Sequence, residues 1–429
     1  MQFLLQVYIT LNRFKLLGIA LVWLSLSGHV FAVETVASKS LTLQQALSLA
    51  LEVNPEIAVS IREREAFEGV KTQAAVRPNP TISTSIQDTR RDNRQTFLQL
   101  NQEIELGNKR QVRIEAADAL YSKANLELDQ KKAEIHADTV AAFYEVLVAQ
   151  EKLNLSKSSV DIADAARDAS TKRVQAGKSS PVEETKSKIA ASAARIELSQ
   201  ANALLISARK KLAALWGDLA PTFVLAEGNV ALLPEFAPLA DLTMKLELAP
   251  SIQLAKSEIA SRNALTKIEQ SKATPNITLS AGVVNNQELG GINQALLGLS
   301  MPIPIFDRNQ GNLQEAVSRE YKAQDELTLL QNQLQTQLAM QYEQFIASKA
   351  MAKSYEAEIL PGAQSAFDAA TKGFQAGKFN FLDVLDAQRT LFQAKTQYIQ
   401  ALLNAHQAVA EIERILGDVV DHTSPRTRE

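Results

Sequence analysis

Chemistry in this chain must come from a short list of residue types. There is no cysteine, which excludes thiol catalysis, iron–sulfur clusters, Cys-type zinc sites and disulfide staples. His29, His136, His406 and His422 fall in no spacing that pairs two of them as metal ligands. No specific metal site and no cofactor is expected. A nucleophile elbow, a phosphate loop and a dinucleotide fingerprint are all missing, so an enzyme is not expected either. Asp383 and Asp386 stand three apart, the spacing that sets two side chains on one helix face. Paired carboxylates on a helix, away from any pocket, attract cations; a plain solvated face has the same pattern. Arg90, Arg91 and Arg94 crowd one polar stretch, suited either to phosphate groups or to simple solvation. Lysine and arginine total 45 against 48 acidic residues, net −3. A nucleic-acid partner, which calls for a basic excess, is therefore disfavoured.

The elements that would position these residues follow from composition and periodicity. Hydrophobic residues make up 46% of the 429 positions, aromatics only 6%, with 16 glycines and 13 prolines. That balance is helix-rich. At the N-terminus, Arg13 and Lys15 precede an apolar run from Leu16 to Leu26, and Val30-Phe31-Ala32 places small residues at −3 and −1 of a cleavage site. Residues 1–32 read as a secretory signal peptide, with no cysteine to carry a lipid. No other run is long and apolar enough for a membrane-spanning helix. Any membrane crossing must then use β-strands.

The rest is a tandem repeat. Ala169–Asp218 aligns without a gap on Ala369–Asp418, and 13 of 50 positions are identical, where chance gives roughly 3 to 5. The best block sets Thr171-Lys172-x-x-Gln175-Ala176-Gly177-Lys178 against Thr371-Lys372-x-x-Gln375-Ala376-Gly377-Lys378. Upstream, Pro80-x-Ile82 matches Pro275-x-Ile277, and Glu52-x-x-Pro55-x-Ile57 matches Glu247-x-x-Pro250-x-Ile252. The first repeat occupies 33–218 and the second 242–418. A proline-bearing linker, 219–241, joins them, and 419–429 is a polar tail expected to be disordered.

Each repeat reads as a helix broken at a proline, two alternating segments, a long helix, a Gly turn and a return helix. The alternating segments, about 81–88, 96–106, 276–285 and 293–304, have period two, hence one oily and one wet face. They pair as two hairpins. Their lengths suit outer-membrane strands, though a soluble hairpin packed on helices gives the same pattern. Four strands close no membrane barrel, since known ones start at about eight. If these strands lie in a membrane, several chains must share one barrel. The long helices, 109–175 and 309–375, would each span about 100 Å at 1.5 Å per residue. Val146, Leu153 and Val160 recur every seven residues, a coiled-coil spacing. Pro361 predicts a kink in the second long helix.

With these pieces in view, the chain resembles a TolC-family outer membrane factor. The resemblance rests on the duplicated helix–hairpin–helix–turn–helix unit, the start Ala50-Leu51-x-x-Asn54-Pro55, and Gly377-Lys378-x-x-x-Leu382-Asp383-Val384-Leu385-Asp386-Ala387-Gln388. Glu103-Ile104-Glu105-Leu106-Gly107-Asn108-Lys109-Arg110 is similar to the cobalt–zinc–cadmium resistance branch. The resemblance implies a mainly α fold with a small β part. Three chains of a homotrimer would give one shared 12-stranded barrel in outer-membrane lipid, above a long α-helical coiled-coil barrel. It implies the exit duct of a tripartite pump, passively conducting divalent heavy-metal cations. Its partners would be a periplasmic adaptor (membrane fusion protein) and a proton-driven inner-membrane transporter of the resistance-nodulation-division type. Drug or small-molecule efflux, or type I protein secretion, is the alternative cargo. The turns Ala176-Gly177-Lys178 and Ala376-Gly377-Lys378 would be the tip where the adaptor docks; a plain helical-hairpin cap is the simpler account of them. Asp383 and Asp386 would constrict the periplasmic gate. Their counterparts in the first repeat are Glu183 and Lys186, so that ring belongs to the second repeat alone. Phe374 and Phe379 stand where the family's tip carries a tyrosine and an arginine.

Overall fold

A computed structural model describes residues 40–417; the expected signal peptide and the tail from 419 lie outside the described residues. The first repeat opens with a short strand, β1 (Ser40–Thr42), and helix α1 (Leu43–Val53). Thr42 accepts from the Gln45 N–H, while the Gln45 side chain accepts from the Thr42 N–H, a reciprocal cap. Pro55 then ends the run, because it has no N–H to donate, and α2 (Pro55–Ala74) starts at once. Buried Asn54 makes this break a joint. Its Oδ1 accepts from Glu56 and Ile57 at 2.7 and 3.1 Å, and its Nδ2 donates to the Leu215 carbonyl at 2.7 Å.

Strands β2 (Thr81–Gln87) and β3 (Gln95–Ile104) follow, then α3 (Lys109–Gln175) and its return helix α4 (Pro181–Ala214). At 67 residues, α3 is about 100 Å long. After β4 (Leu225–Glu227) and the short α5 (Leu239–Lys245), the second repeat runs through α6 (Pro250–Lys272), β5 (Ile277–Asn286), β6 (Ile292–Ser300) and α7 (Gln310–Ser354). A π-helical turn, Tyr355–Ile359, leads into α8 (Leu360–Gln375), and α9 (Phe381–Leu416) returns. The π turn sits where Pro361 would break the hydrogen-bond ladder. One widened turn absorbs the missing donor, and the chain stays helical on both sides.

The four longer strands form one antiparallel sheet in the order β2-β3-β5-β6. The two repeats meet at β3 and β5, from Gln95↔Asn286 to Ile104↔Ile277. The register sorts side chains by face. Ile82, Leu100, Ala281 and Leu297 lie in one row across all four strands. Thr84, Leu98, Val283 and Ala295 lie in the next. The opposite face carries Ser83, Gln99, Gly282 and Leu296 in one row, then Thr81, Asn101, Ser280 and Gly298. The oily face is bare: Ile82 is 76% exposed, Leu297 84% and Leu299 69%.

The core lies among the helices. Val140, Phe143, Val146 and Leu147 of α3 pack on Leu212 of α4 and Leu402 of α9. Leu338 and Phe345 of α7 pack on Val409 and Ile412 of α9 and on Ile252 of α6. Toward the far end of α3 the contact residues against α4 shrink to Ala163, Ala191 and Ala194, and small side chains let the helices approach closely. The proline-bearing stretch 219–241 is more than a tether. β4 pairs in parallel with β1. Gln150 of α3 clamps the backbone of Ala226, accepting from its N–H at 2.7 Å and donating to its carbonyl at 3.0 Å. Buried His406 donates from Nε2 to the Val230 carbonyl at 2.8 Å and stacks on Tyr144.

Candidate functional site

Each long helix ends in a tight turn built in the same way. The α3 end closes with Gly177 N–H on Val174 O at 2.9 Å and Lys178 N–H on Arg173 O at 2.8 Å. The α8 end repeats this with Gly377 on Phe374 at 3.0 Å and Lys378 on Gly373 at 2.8 Å. Gly177 and Gly377 have φ of 69° and 71°, a left-handed conformation that glycine takes without a Cβ clash. Nothing lies within 4 Å of a Cβ added at either position, so backbone conformation, not crowding, selects glycine there. Ala176, Lys178, Ala376 and Lys378 are all exposed.

The return helices start differently. Ser180 caps α4 by accepting from Val182 N–H, with Pro181 at the first position. Asn380 caps α9 through a full box. Its side chain accepts from Asp383 N–H, and Asp383 Oδ2 accepts from Asn380 N–H, each at 3.0 Å. Asp383 and Asp386 are both exposed, one turn apart on α9. They differ in freedom: Asp383 is engaged in holding the turn, while Asp386 edges an open groove floored by Ala163, Ala194 and Ala201 and flanked by Arg389.

The second tip is also more aromatic than the first. Phe379 lies against Gly373, where a Cβ would come within 2.1 Å of its ring. Phe374 leans on buried Phe381, with centroids 5.8 Å apart. The Arg173 guanidinium sits 4.6 Å from the Phe374 ring centre, a cation–π contact that joins the ends of α3 and α8. On the first tip, Lys188 and Thr171 hold the Glu184 carboxyl below the ordinary value. Spacing alone could bring out the Asn380-x-x-Asp383 cap, which has a known local signature. Arg173 and Phe374 are far apart in sequence, and no local pattern joins them.

The other candidates are placed as follows. Arg90 is held by Asp88 through Nη2 at 2.6 Å, while Arg91 and Arg94 are exposed in the same loop. Lys109 reaches the Asn276 side chain, and Arg110 donates to the Ala75 carbonyl at 2.7 Å. No group of three or more His, Asp or Glu side chains among the described residues could hold a metal ion. His29 and His422 lie outside the described residues. No described helix is long and apolar enough to cross a membrane.

Comparison with known proteins agrees with the fold. The family model for "Outer membrane efflux protein" matches residues 46–218 and 242–418. The chain is 44% identical over 382 residues to the cobalt-zinc-cadmium resistance protein CzcC of Cupriavidus metallidurans, covering 89% of this chain and 91% of that one. It is 26% identical over 326 residues to the nickel-cobalt-cadmium resistance protein NccC of Alcaligenes xylosoxydans xylosoxydans, covering 72% and 70%. The fold is similar to that of the Campylobacter jejuni CmeC outer membrane channel, with a TM-score of 0.72 at 16% identity over 89% of this chain and 87% of that one. With both repeats matched and a relative this similar along nearly its whole length, the chain belongs to the outer membrane efflux protein family.

Proposed function

We propose that three copies of this chain form the outer-membrane exit duct of a tripartite pump that expels divalent heavy-metal cations. The observation that carries the duct is the sheet. It has four strands, two edges at β2 and β6 without a partner among the described residues, and one bare apolar face. Open edges are not tolerated in lipid, and three such sheets joined edge to edge give twelve strands and no edge. The apolar face then meets lipid and the polar face lines the lumen. The helices continue the lumen into the periplasm. Conduction is passive, and a proton-driven resistance-nodulation-division transporter supplies the energy through a periplasmic adaptor. The Ala176-Gly177-Lys178 and Ala376-Gly377-Lys378 turns form the docking tip. Asp383 and Asp386 gather cations at the entrance, with Asp383 also fixing the turn.

The cargo follows from the cobalt-zinc-cadmium resistance protein, whose likeness runs through both repeats. The test is growth of a deletion strain on zinc, cobalt, cadmium, nickel, copper and silver, beside a drug panel, in a background lacking other ducts of this family. Sensitivity to one group of metals, restored by the gene, is the expected result. Sensitivity to drugs alone would keep the duct and overturn the cargo.

A further inference from the structure

Charge is nearly absent from the sheet. Among all residues of β2, β3, β5 and β6, Glu103 is the one ionisable side chain. It lies on the polar face, opposite Thr278, which in turn pairs with Ser300. That row is at the end of the sheet where the strands pass into the helices. The carboxylate is exposed but held in place. Asn276 Nδ2 donates to its Oε1 at 2.5 Å, and Lys109 Nζ donates to the Asn276 Oδ1. Lysine thus fixes which way the Asn276 amide points, with its NH2 toward Glu103. Two other charged groups nearby have partners of their own. Glu105 is paired with Arg113, and Arg110 is bound to the Ala75 carbonyl. Lys109 itself is partly buried and reaches Glu103 only through Asn276.

We infer that Glu103 sets the charge preference of the barrel lumen, a selectivity element separate from the carboxylates at the helical tip. The inference rests on the trimeric duct proposed above. Three copies place three carboxylates at one level, on strands that hold no other ionisable side chain, with each Lys109 ammonium set behind Asn276. Magnitudes decide when this matters. Twelve strands about 4.8 Å apart and tilted by about 40° give a barrel of about 12 Å radius at the backbone. A side chain projecting inward leaves the axis less than about 10 Å from each carboxylate. The Debye length is about 10 Å at 0.1 M salt and about 3 Å at 1 M. At low salt the three charges reach the whole cross-section; at high salt each affects only its own patch of wall. Low-salt cation preference that fades at high salt is the signature of a wide charged ring.

The experiment measures reversal potentials of full-length channels in planar bilayers under potassium chloride gradients. It compares wild type with Glu103→Gln, both alone and with Asp383→Asn and Asp386→Asn. Glutamine can still accept from Asn276, so the joint is kept. The expected result is a shift toward zero on Glu103→Gln in both backgrounds at about 0.1 M salt, vanishing at about 1 M. Glu103→Lys should carry the shift past zero toward anions. Unchanged reversal potentials in both backgrounds, from channels of normal conductance, would overturn the inference and leave the duct intact. Absence of any wild-type conductance, with the tip carboxylates neutralised as well, would instead sink the duct reading on which the inference rests.

Discussion

Glu105 and Arg113 pin the start of α3 to the foot of the sheet. The guanidinium takes both carboxylate oxygens and also donates to the Val76 carbonyl. The hydrogen bond from Arg113 holds the Glu105 carboxyl below its ordinary 4.5, against the opposing effect of burial. A carboxyl whose folded pKa is lowered stabilises the fold above its unfolded pKa, and that stability is lost as pH falls through the folded value. Glu105→Gln is therefore expected to destabilise the protein by on the order of 1 kcal/mol at neutral pH. The gap in Tm between the two proteins should close as pH drops below 4.5. A gap that stays constant into acid would mean that the pair contributes shape and not charge. Sequence shows the Glu105 and Arg113 types but not their pairing, because eight residues and a turn from strand to helix separate them. Asp383 is the reverse case. Its local spacing from Asn380 announces a helix cap, and the carboxylate accepts from the Asn380 N–H.

Elements were legible in proportion to their length and regularity. Sixty-seven residues of α3 and four alternating segments, the first of them the weakest, repeat their period often enough to stand out from composition. The three-residue β1 and β4 have no period to read. Their pairing depends on Gln150 arriving from the middle of α3 to complete the backbone hydrogen bonds of Ala226. The π turn before Pro361 was legible only as a disturbance, since proline announces a lost donor but not how the helix adapts. The seam between repeats is the element on which the sheet depends most, and it leaves little room. At Gly282 of β5 a Cβ would stand 2.3 Å from the Leu98 carbonyl oxygen, on backbone that cannot swing aside. Gly282→Val should separate β3 from β5 locally, at a cost of about 1–3 kcal/mol or more. Gly298→Ala is the control, because its Cβ would meet Ser280 at an ordinary 3.5 Å. Assembled oligomer recovered from membranes should fall sharply for the first variant and hold for the second. Equal recovery would show that the seam tolerates a shifted register.

At the scale of the whole molecule, the single chain is incomplete in a way its helices are not. The helical clusters bury their large side chains, whereas the sheet leaves Ile82, Leu297 and Leu299 open and offers two edges unpaired among the described residues. Water is a poor solvent for that surface, and no described helix spans a membrane in its place. The two faces therefore make opposite predictions for the same substitution. Leu297 is in the middle of β6 on the apolar face, 84% exposed, and Leu297→Arg in lipid costs about 2–4 kcal/mol near the bilayer midplane. In the proposed trimer, threefold repetition brings the total to roughly 6–12 kcal/mol, comparable to the whole net stability of an ordinary fold, about 5–15 kcal/mol. Gln294, three residues earlier on the same strand, faces the opposite side, and in the proposed duct Gln294→Arg meets water in the lumen. We expect Leu297→Arg to be lost from the outer-membrane fraction and from metal resistance, and Gln294→Arg to be retained in both. The opposite outcome would turn the sheet inside out. Equal tolerance of both would remove the sheet from the bilayer altogether, and with it the reason for three chains to meet.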